Sequence, residues 1–220
     1  EIVPLAVSPD GFNINENCGA VHPQVMAAAV VAHGADAGIC LDGDADRLIM
    51  ADENGKIIDG DQILGCLALA MQERGTLTNN AVVGTVMTNR GLEARLGKAG
   101  INLHRVAVGD RYILEKMRQD ELQLGGGPSG QLRMTDFARS GDGLLTALQM
   151  LTLLKTSGKK ASTLFNSFLP NPQRLENLRG IDPAILQNKK LQSDLANIEA
   201  TLNGKGRVLV RPSGTEALVR

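Results

Sequence analysis

Residues 81–106 read AVVGTVMTNRGLEARLGKAGINLHRV, and the fold is decided there. Val82 to Met87 reads as a strand, Gly91 to Ala99 as a helix and Ile101 to Val106 as a second strand. Working outward, Tyr112 to Arg118 is a further helix and Leu122-Gln123-Leu124 a further strand. A glycine cluster follows, and then a long apolar helix from Gly143 to Lys155. Strands alternating with helices at this spacing indicate βαβ units, hence an α/β protein with mainly parallel mixed sheets. Upstream, Pro23 opens a helix, Gln24 to His33, which Gly34 closes. Ala37 to Leu41 is a short apolar strand. Leu48 to Ala51 and Lys56 to Ile58 flank Asn54-Gly55, a hairpin signal. Ile63 to Glu73 is a helix ended by Gly75. Pro170 and Pro172 mark a linker, followed by a helical stretch around Ile185 to Ile198 and a strand at Arg207 to Val210. The expected division is 1–78, 79–168 and an incomplete smaller α+β unit at 169–220.

With 220 residues, 43% of them hydrophobic, the chain can bury one large core or two modest ones. Its net charge of -1 comes from both signs spread along the sequence, so the electrostatic footprint of a nucleic-acid binder is missing. Aromatic residues make up only 2%, which argues against base-stacking platforms. No apolar run reaches membrane-spanning length and no targeting segment opens the chain, so no membrane partner and a cytoplasmic location are expected. Cys18, Cys40 and Cys66 are widely spaced and read as reduced thiols. The sequence starts at Glu1 and stops inside the apolar run Ala217-Leu218-Val219-Arg220, so it is expected to be a fragment.

Asp42-Gly43-Asp44-Ala45-Asp46-Arg47 follows directly on a strand. In an extended segment, residues two apart share a face, so the three carboxylates are expected to converge. Unpaired, they would repel; hard oxygen ligands select Mg²⁺, Ca²⁺ or Mn²⁺ over zinc. Three ligands from so short a loop leave coordination positions for a phosphate oxygen. Arg47 adds a forked donor beside them. An EF-hand reading would use Asp42, Asp44, Asp46 and Glu53, but Arg47 stands where that loop needs glycine and a strand precedes it instead of a helix.

Arg211-Pro212-Ser213-Gly214-Thr215-Glu216 gathers a guanidinium, two hydroxyls and a closely approachable backbone, which suits a phosphate. The Ser213/Glu216 spacing also fits a helix capping box. Gly125-Gly126-Gly127-Pro128-Ser129-Gly130-Gln131 reads as a sharp turn that can present Ser129 to a ligand. In Val108-Gly109-Asp110-Arg111-Tyr112, Asp110 is a candidate helix cap.

Taken in order, these pieces resemble the α-D-phosphohexomutase family from about Pro9 to Arg220. The most specific are Asp42 to Arg47 and Arg211 to Glu216. Asn13-Ile14-Asn15, Cys18-Gly19, His22-Pro23 and Thr85-Val86-Met87-Thr88-Asn89 support them. The Asn-Ile-Asn and Cys-Gly pieces look like the glucosamine branch more than the mannose or glucose branches. The resemblance implies a four-domain enzyme, of which this chain covers the second in part, the third, and part of the fourth. It implies that Asp42, Asp44 and Asp46 bind Mg²⁺, with Arg47 in a supporting catalytic role. Arg211, Ser213, Gly214, Thr215 and Arg220 would hold a substrate phosphate. Ser129 would lie in the sugar-recognition loop, and Gly109, Asp110 and Arg111 in a neighbouring specificity loop.

The implied reaction passes a phosphoryl group between a serine and a phosphorylated hexose, converting glucosamine 6-phosphate to the 1-phosphate for UDP-N-acetylglucosamine and cell-wall synthesis. The serine's Thr-Ala-Ser-His-Asn-Pro-like loop does not occur in these residues, so an N-terminal domain is the expected missing partner and no turnover is expected from this chain alone. The family's sugar loop reads Gly-Glu-x-Ser-Gly-His; here Gly127 stands for the glutamate and Gln131 for the histidine. Those departures leave a second expectation, a non-catalytic sugar-phosphate or metal-binding protein derived from the family.

Overall fold

A computed structural model describes residues 1–204, 206–213 and 218–220, and divides them into two units, Glu1–Asn171 and Pro172–Arg220. The first helix of unit 1, α1 (Pro23–His33), has proline in its first turn, and the Gly34 N–H closes it on Val30 and Val31 O. Strand β1 (Ala37–Leu41) pairs antiparallel with β2 (Leu48–Asp52), which pairs antiparallel with β3 (Ile57–Ile58). This first sheet therefore holds no parallel pair. The connection of β1 to β2 is only Asp42–Arg47, far too short for a crossover, and Asn54-Gly55 forms the expected hairpin.

Strand β2 is buried on both faces. Ile49 and Ala51 meet Met26, Ala27 and Val30 of α1 in a small core, while Leu48 and Met50 point into the main core. Alternation along one strand thus joins the two layers.

The main core is built around a second sheet, ordered β5 (Asn102–Val106), β4 (Ala81–Thr85), β6 (Leu124–Gly126), β7 (Leu132–Met134). Strand β4 pairs parallel with β5 and β6, and β7 returns antiparallel. Helices α2 (Gly60–Glu73), α3 (Arg90–Lys98) and α5 (Gly143–Ser157) contribute Leu64, Leu92 and Met150 to the core on the Val82 side. Helix α4 (Asp110–Gln119) packs Ile113 and Met117 against Ala81 and Val83 on the other side. The result is an α/β/α sandwich.

The strand expected at Leu122–Leu124 lies two residues later and takes in Gly125 and Gly126. Gly125 serves close packing and not a turn: a Cβ there would come within 2.9 Å of Met117 Sδ and Ile113 Cγ2. The turn itself is confined to 127–130. Its position, and those of 86–89 and 107–109, are set by the carboxyl ends of the parallel strands, where open α/β sheets bind ligands. A short helix, α6 (Ala161–Leu164), precedes Phe165, which is fully buried.

In the second unit, β8 (Leu178–Arg179) pairs antiparallel with β9 (Leu218–Val219). A 3-10 turn (Pro183–Gln187) and α7 (Lys189–Thr201) replace the single expected helix; Asn188 breaks it by capping the Lys190 and Leu191 N–H groups. The strand expected at Arg207–Val210 is irregular. Pairing begins at Arg211, which exchanges both backbone hydrogen bonds with Arg220 (2.9 and 2.8 Å), and the Ser213 N–H donates to Leu218 O. Pro212, lacking an N–H, occupies the intervening position. Among the described residues, no helix is long and apolar enough to cross a membrane.

Candidate metal and substrate site

The acidic loop leaves β1 at Leu41 and turns at once. Asp42 organises it: its backbone O accepts the Ala45 N–H (3.1 Å) and its Oδ1 accepts the Arg47 N–H (3.1 Å). Ala45 sits at φ +59°, a left-handed conformation that non-glycine residues seldom adopt. The carboxylates do converge, with one oxygen each from Asp42, Asp44 and Asp46 all within 4.8 Å of one another. The cause differs from the extended alternation expected from the sequence. It is a turn wrapped around the Asp42 side chain.

Arg47 Nε lies 3.4 Å from Asp42 Oδ2 and 3.7 Å from Asp46 Oδ1, so one cation already leans on the cluster. It does not saturate it. Asp46 Oδ1 is buried and has no hydrogen-bond partner. Burial, with the charges of Asp42 and Asp44 behind it, holds the Asp46 carboxyl above its ordinary range, and Arg47 opposes the shift. An orphaned buried oxygen among three close carboxylates fits a hard divalent cation. The Glu53 carboxylate, which the EF-hand reading needs, accepts instead from the Ser162 N–H and Oγ at the start of α6.

The turn at 127–130 is built against this loop. Gly130 O accepts the Leu48 N–H (3.0 Å), Pro128 O accepts the Gly60 N–H (3.2 Å), and Gln131 forms a lone antiparallel bridge with Arg47. Gly130 has φ +90°, and a Cβ there would collide with Leu48 O, so only glycine allows the approach. Ser129 is left exposed at the tip. From a third direction, the Gly143 N–H at the start of α5 donates to Ala45 O (2.8 Å). The structure thus brings Asp42, Asp44, Asp46, Arg47 and the Ser129 turn together in one unit.

The other expected site residues are placed differently. The Asp110 side chain caps no helix N–H; the buried Arg133 guanidinium grips both its oxygens. Arg111 is exposed and paired with Glu115 at 2.6 Å, and Gly109 is the residue before α4. In the second unit, Arg211 and Arg220 are directly opposed in a hydrogen-bonded antiparallel pair, which puts their side chains on the same face. Ser213 is beside them; Gly214 and Thr215 lie outside the described residues. Cys18, Cys40 and Cys66 are unpaired, and burial pushes the Cys40 thiol to about 11 and the Cys66 thiol to about 12, too high for nucleophiles at neutral pH.

Two residues escaped the sequence reading. Gln131, noted there only as a departure, donates its amide to Asp46 Oδ2. Asp61, in the first turn of α2, is almost wholly buried under Thr88 and Asn89. No local signal could have shown either contact.

The α/β/α unit falls in a class that the family profiles name. The profile "phosphoglucomutase/phosphomannomutase, alpha/beta/alpha domain III" matches residues 59–171, and that of the C-terminal domain matches 169–220. The chain belongs to this phosphohexomutase family. A curated relative, the phosphoglucosamine mutase of Roseobacter denitrificans, is 53% identical over 222 residues, covering all of this chain and 49% of that protein. The chain therefore spans about half the length of the curated relatives it matches.

Two solved structures share the fold. A phosphoglucomutase/phosphomannomutase family protein from Burkholderia thailandensis has a TM-score of 0.72 at 24% identity, over 91% of this chain and 45% of that one. Aspergillus fumigatus N-acetylphosphoglucosamine mutase, solved with GlcNAc-6P and magnesium, has a TM-score of 0.74 at 19% identity, over 97% of this chain and 50% of that one.

Proposed function

We propose that these residues form the metal-binding and sugar-recognition part of a mutase that interconverts glucosamine 6-phosphate and glucosamine 1-phosphate. The observation that carries the reading is the Asp42/Asp44/Asp46 cluster, three carboxylates within 4.8 Å around a buried, unsatisfied Asp46 oxygen. The sugar follows from the phosphoglucosamine mutases that match the whole chain at about half identity. The Aspergillus enzyme's magnesium and GlcNAc-6P support the cation and the substrate class.

Asp42, Asp44 and Asp46 would hold Mg²⁺, which when bound supplies charge neutralisation for phosphoryl oxygens. Asp42 and Arg47 shape the loop before any cation arrives, so little reorganisation is needed. The turn carrying Ser129 meets the sugar hydroxyls. Asp110 acts through Arg133, orienting the specificity loop, while Arg111 is free to swing from Glu115 toward an anion. Arg211, Ser213, Gly214, Thr215 and Arg220 hold a substrate phosphate. The direct opposition of Arg211 and Arg220 across the strand pair supports this, since it puts two forked donors on one face. The seryl phosphate of the family lies in a loop that these residues do not contain, so the chain by itself is expected to show no turnover.

The test joins this chain to the half of the Roseobacter relative that it does not cover and follows conversion of glucosamine 6-phosphate. Asp44→Asn is expected to lower turnover at least about 100-fold. Equal activity of wild type and variant would sink the reading, and turnover by the unfused chain would overturn the claim of dependence. A second reading, a non-catalytic sugar-phosphate binder, is favoured by Gly127 and Gln131 in the sugar loop. A fused protein that binds glucosamine 6-phosphate without converting it would establish that reading instead.

A further inference from the structure

The geometry points to Gln131 as the positioning residue of the metal site, acting through Asp46 by holding one of its oxygens so that the other is presented to the cation. The inference rests on the acidic loop being a metal site and adds a residue from a different element of the fold.

Asp46 has two oxygens with opposite fates. Oδ2 accepts the Gln131 Nε2–H. Oδ1 is buried and has no hydrogen-bond partner, with Arg47 Nε 3.7 Å away. A carboxylate free to rotate would exchange these two atoms; a donor on one of them stops that rotation. The donor is well placed to do so. Gln131 is held through its own backbone by the bridge to Arg47, and the preceding Gly130 O is held by Leu48 N–H. Its side chain is backed by Gly141, where an added Cβ would lie 3.2 Å from Gln131 Cγ and 3.3 Å from Asp46 O. A larger residue at 141 would therefore press on the Gln131 side chain and on the backbone of Asp46.

Asp42 is anchored in the same manner by Arg47, whose N–H occupies Oδ1. Asp44 is the exposed member of the cluster. Two of the three ligands are thus set in advance, one from inside the loop and one by a residue 85 positions away. The glutamine amide carries no charge, so it orients Asp46 without competing electrostatically with a dication, as a lysine or arginine would.

The experiment titrates Mg²⁺ into the purified chain by calorimetry, for wild type, Asp44→Asn and Gln131→Leu, with urea unfolding of each. Gln131→Leu keeps the bulk and removes the donor. Its dissociation constant is expected to rise about 10- to 100-fold with stoichiometry unchanged. In the wild type, the Gln131 side-chain amide resonances are expected to shift along the same Mg²⁺ titration, a readout that does not depend on the variant folding. Wild-type binding lost in Asp44→Asn but unchanged in Gln131→Leu, or amide resonances that stay still, would overturn the role of Gln131 alone. Absence of Mg²⁺ binding by the wild type would instead remove the metal site, and this inference with it.

Discussion

Asp42, Asp44 and Asp46 gather three carboxylate oxygens within 4.8 Å at the end of β1, whereas Asp61, in the first turn of α2, is buried singly under the loop that follows β4. Asp46 and Asp61 each have a buried oxygen without a hydrogen-bond partner. Their surroundings differ. Asp46 has two more carboxylates, and its shift arises from burial reinforced by like charge. Asp61 has the Asn89 N–H at 2.7 Å on its other oxygen, and its carboxyl is pushed up to about 7, mainly by burial. Nearby Asp59 adds to that shift, while Thr88 and the Arg105 guanidinium oppose it. The same unsatisfied atom suits a cation where charges cluster and a proton where one carboxylate is sealed in.

The largest expected effect tests the sealed member. The Asp61 carboxyl titrates near 3.8 when unfolded and at about 7 when folded. Below pH 3.8 it is protonated in both states; between the two values the folded state keeps a proton that the unfolded state releases. The stabilisation is therefore full below about pH 4 and is lost as pH rises to 7, by up to about 4 kcal/mol. Urea unfolding of Asp61→Asn between pH 4 and 8 should show a flatter profile across that window, since the amide oxygen still accepts from Asn89. An unchanged slope would mean that Asp61 ionises normally.

Gly130→Ala comes next and attacks what holds the open member. It forces a Cβ at φ +90° into Leu48 O and should cost about 3 kcal/mol in unfolding free energy. Magnesium affinity should fall with it, because the turn that carries Gln131 moves. A variant with wild-type stability would show that the turn is not clamped to β2. The smallest effect sharpens the comparison. Glu53→Gln should leave Mg²⁺ and Ca²⁺ affinities within about twofold of wild type, because Glu53 binds Ser162 and not the loop. A loss of Ca²⁺ binding in that variant would revive the EF-hand reading.

Local pattern was enough for the sequence to determine a good deal: helix α1 between Pro23 and Gly34, the Asn54-Gly55 hairpin, the βαβ succession from Ala81 to Gln119, the convergence of three carboxylates in the acidic loop and membership of the phosphohexomutase family. Each is written in neighbouring residues or in a motif of a few positions. The tertiary structure alone decided the rest. It closed the first sheet antiparallel, placed Gly125 and Gly126 in a strand pressed against α4, and drew the acidic loop into a turn around Asp42. It also set Gln131 on Asp46, buried Asp61 beneath Asn89 and tied Asp110 to Arg133. The physical reason is common to all of these. Periodicity reports which face of an element is apolar, but the partner of a buried polar atom is chosen by packing between segments distant in the chain, and no local spacing records that choice.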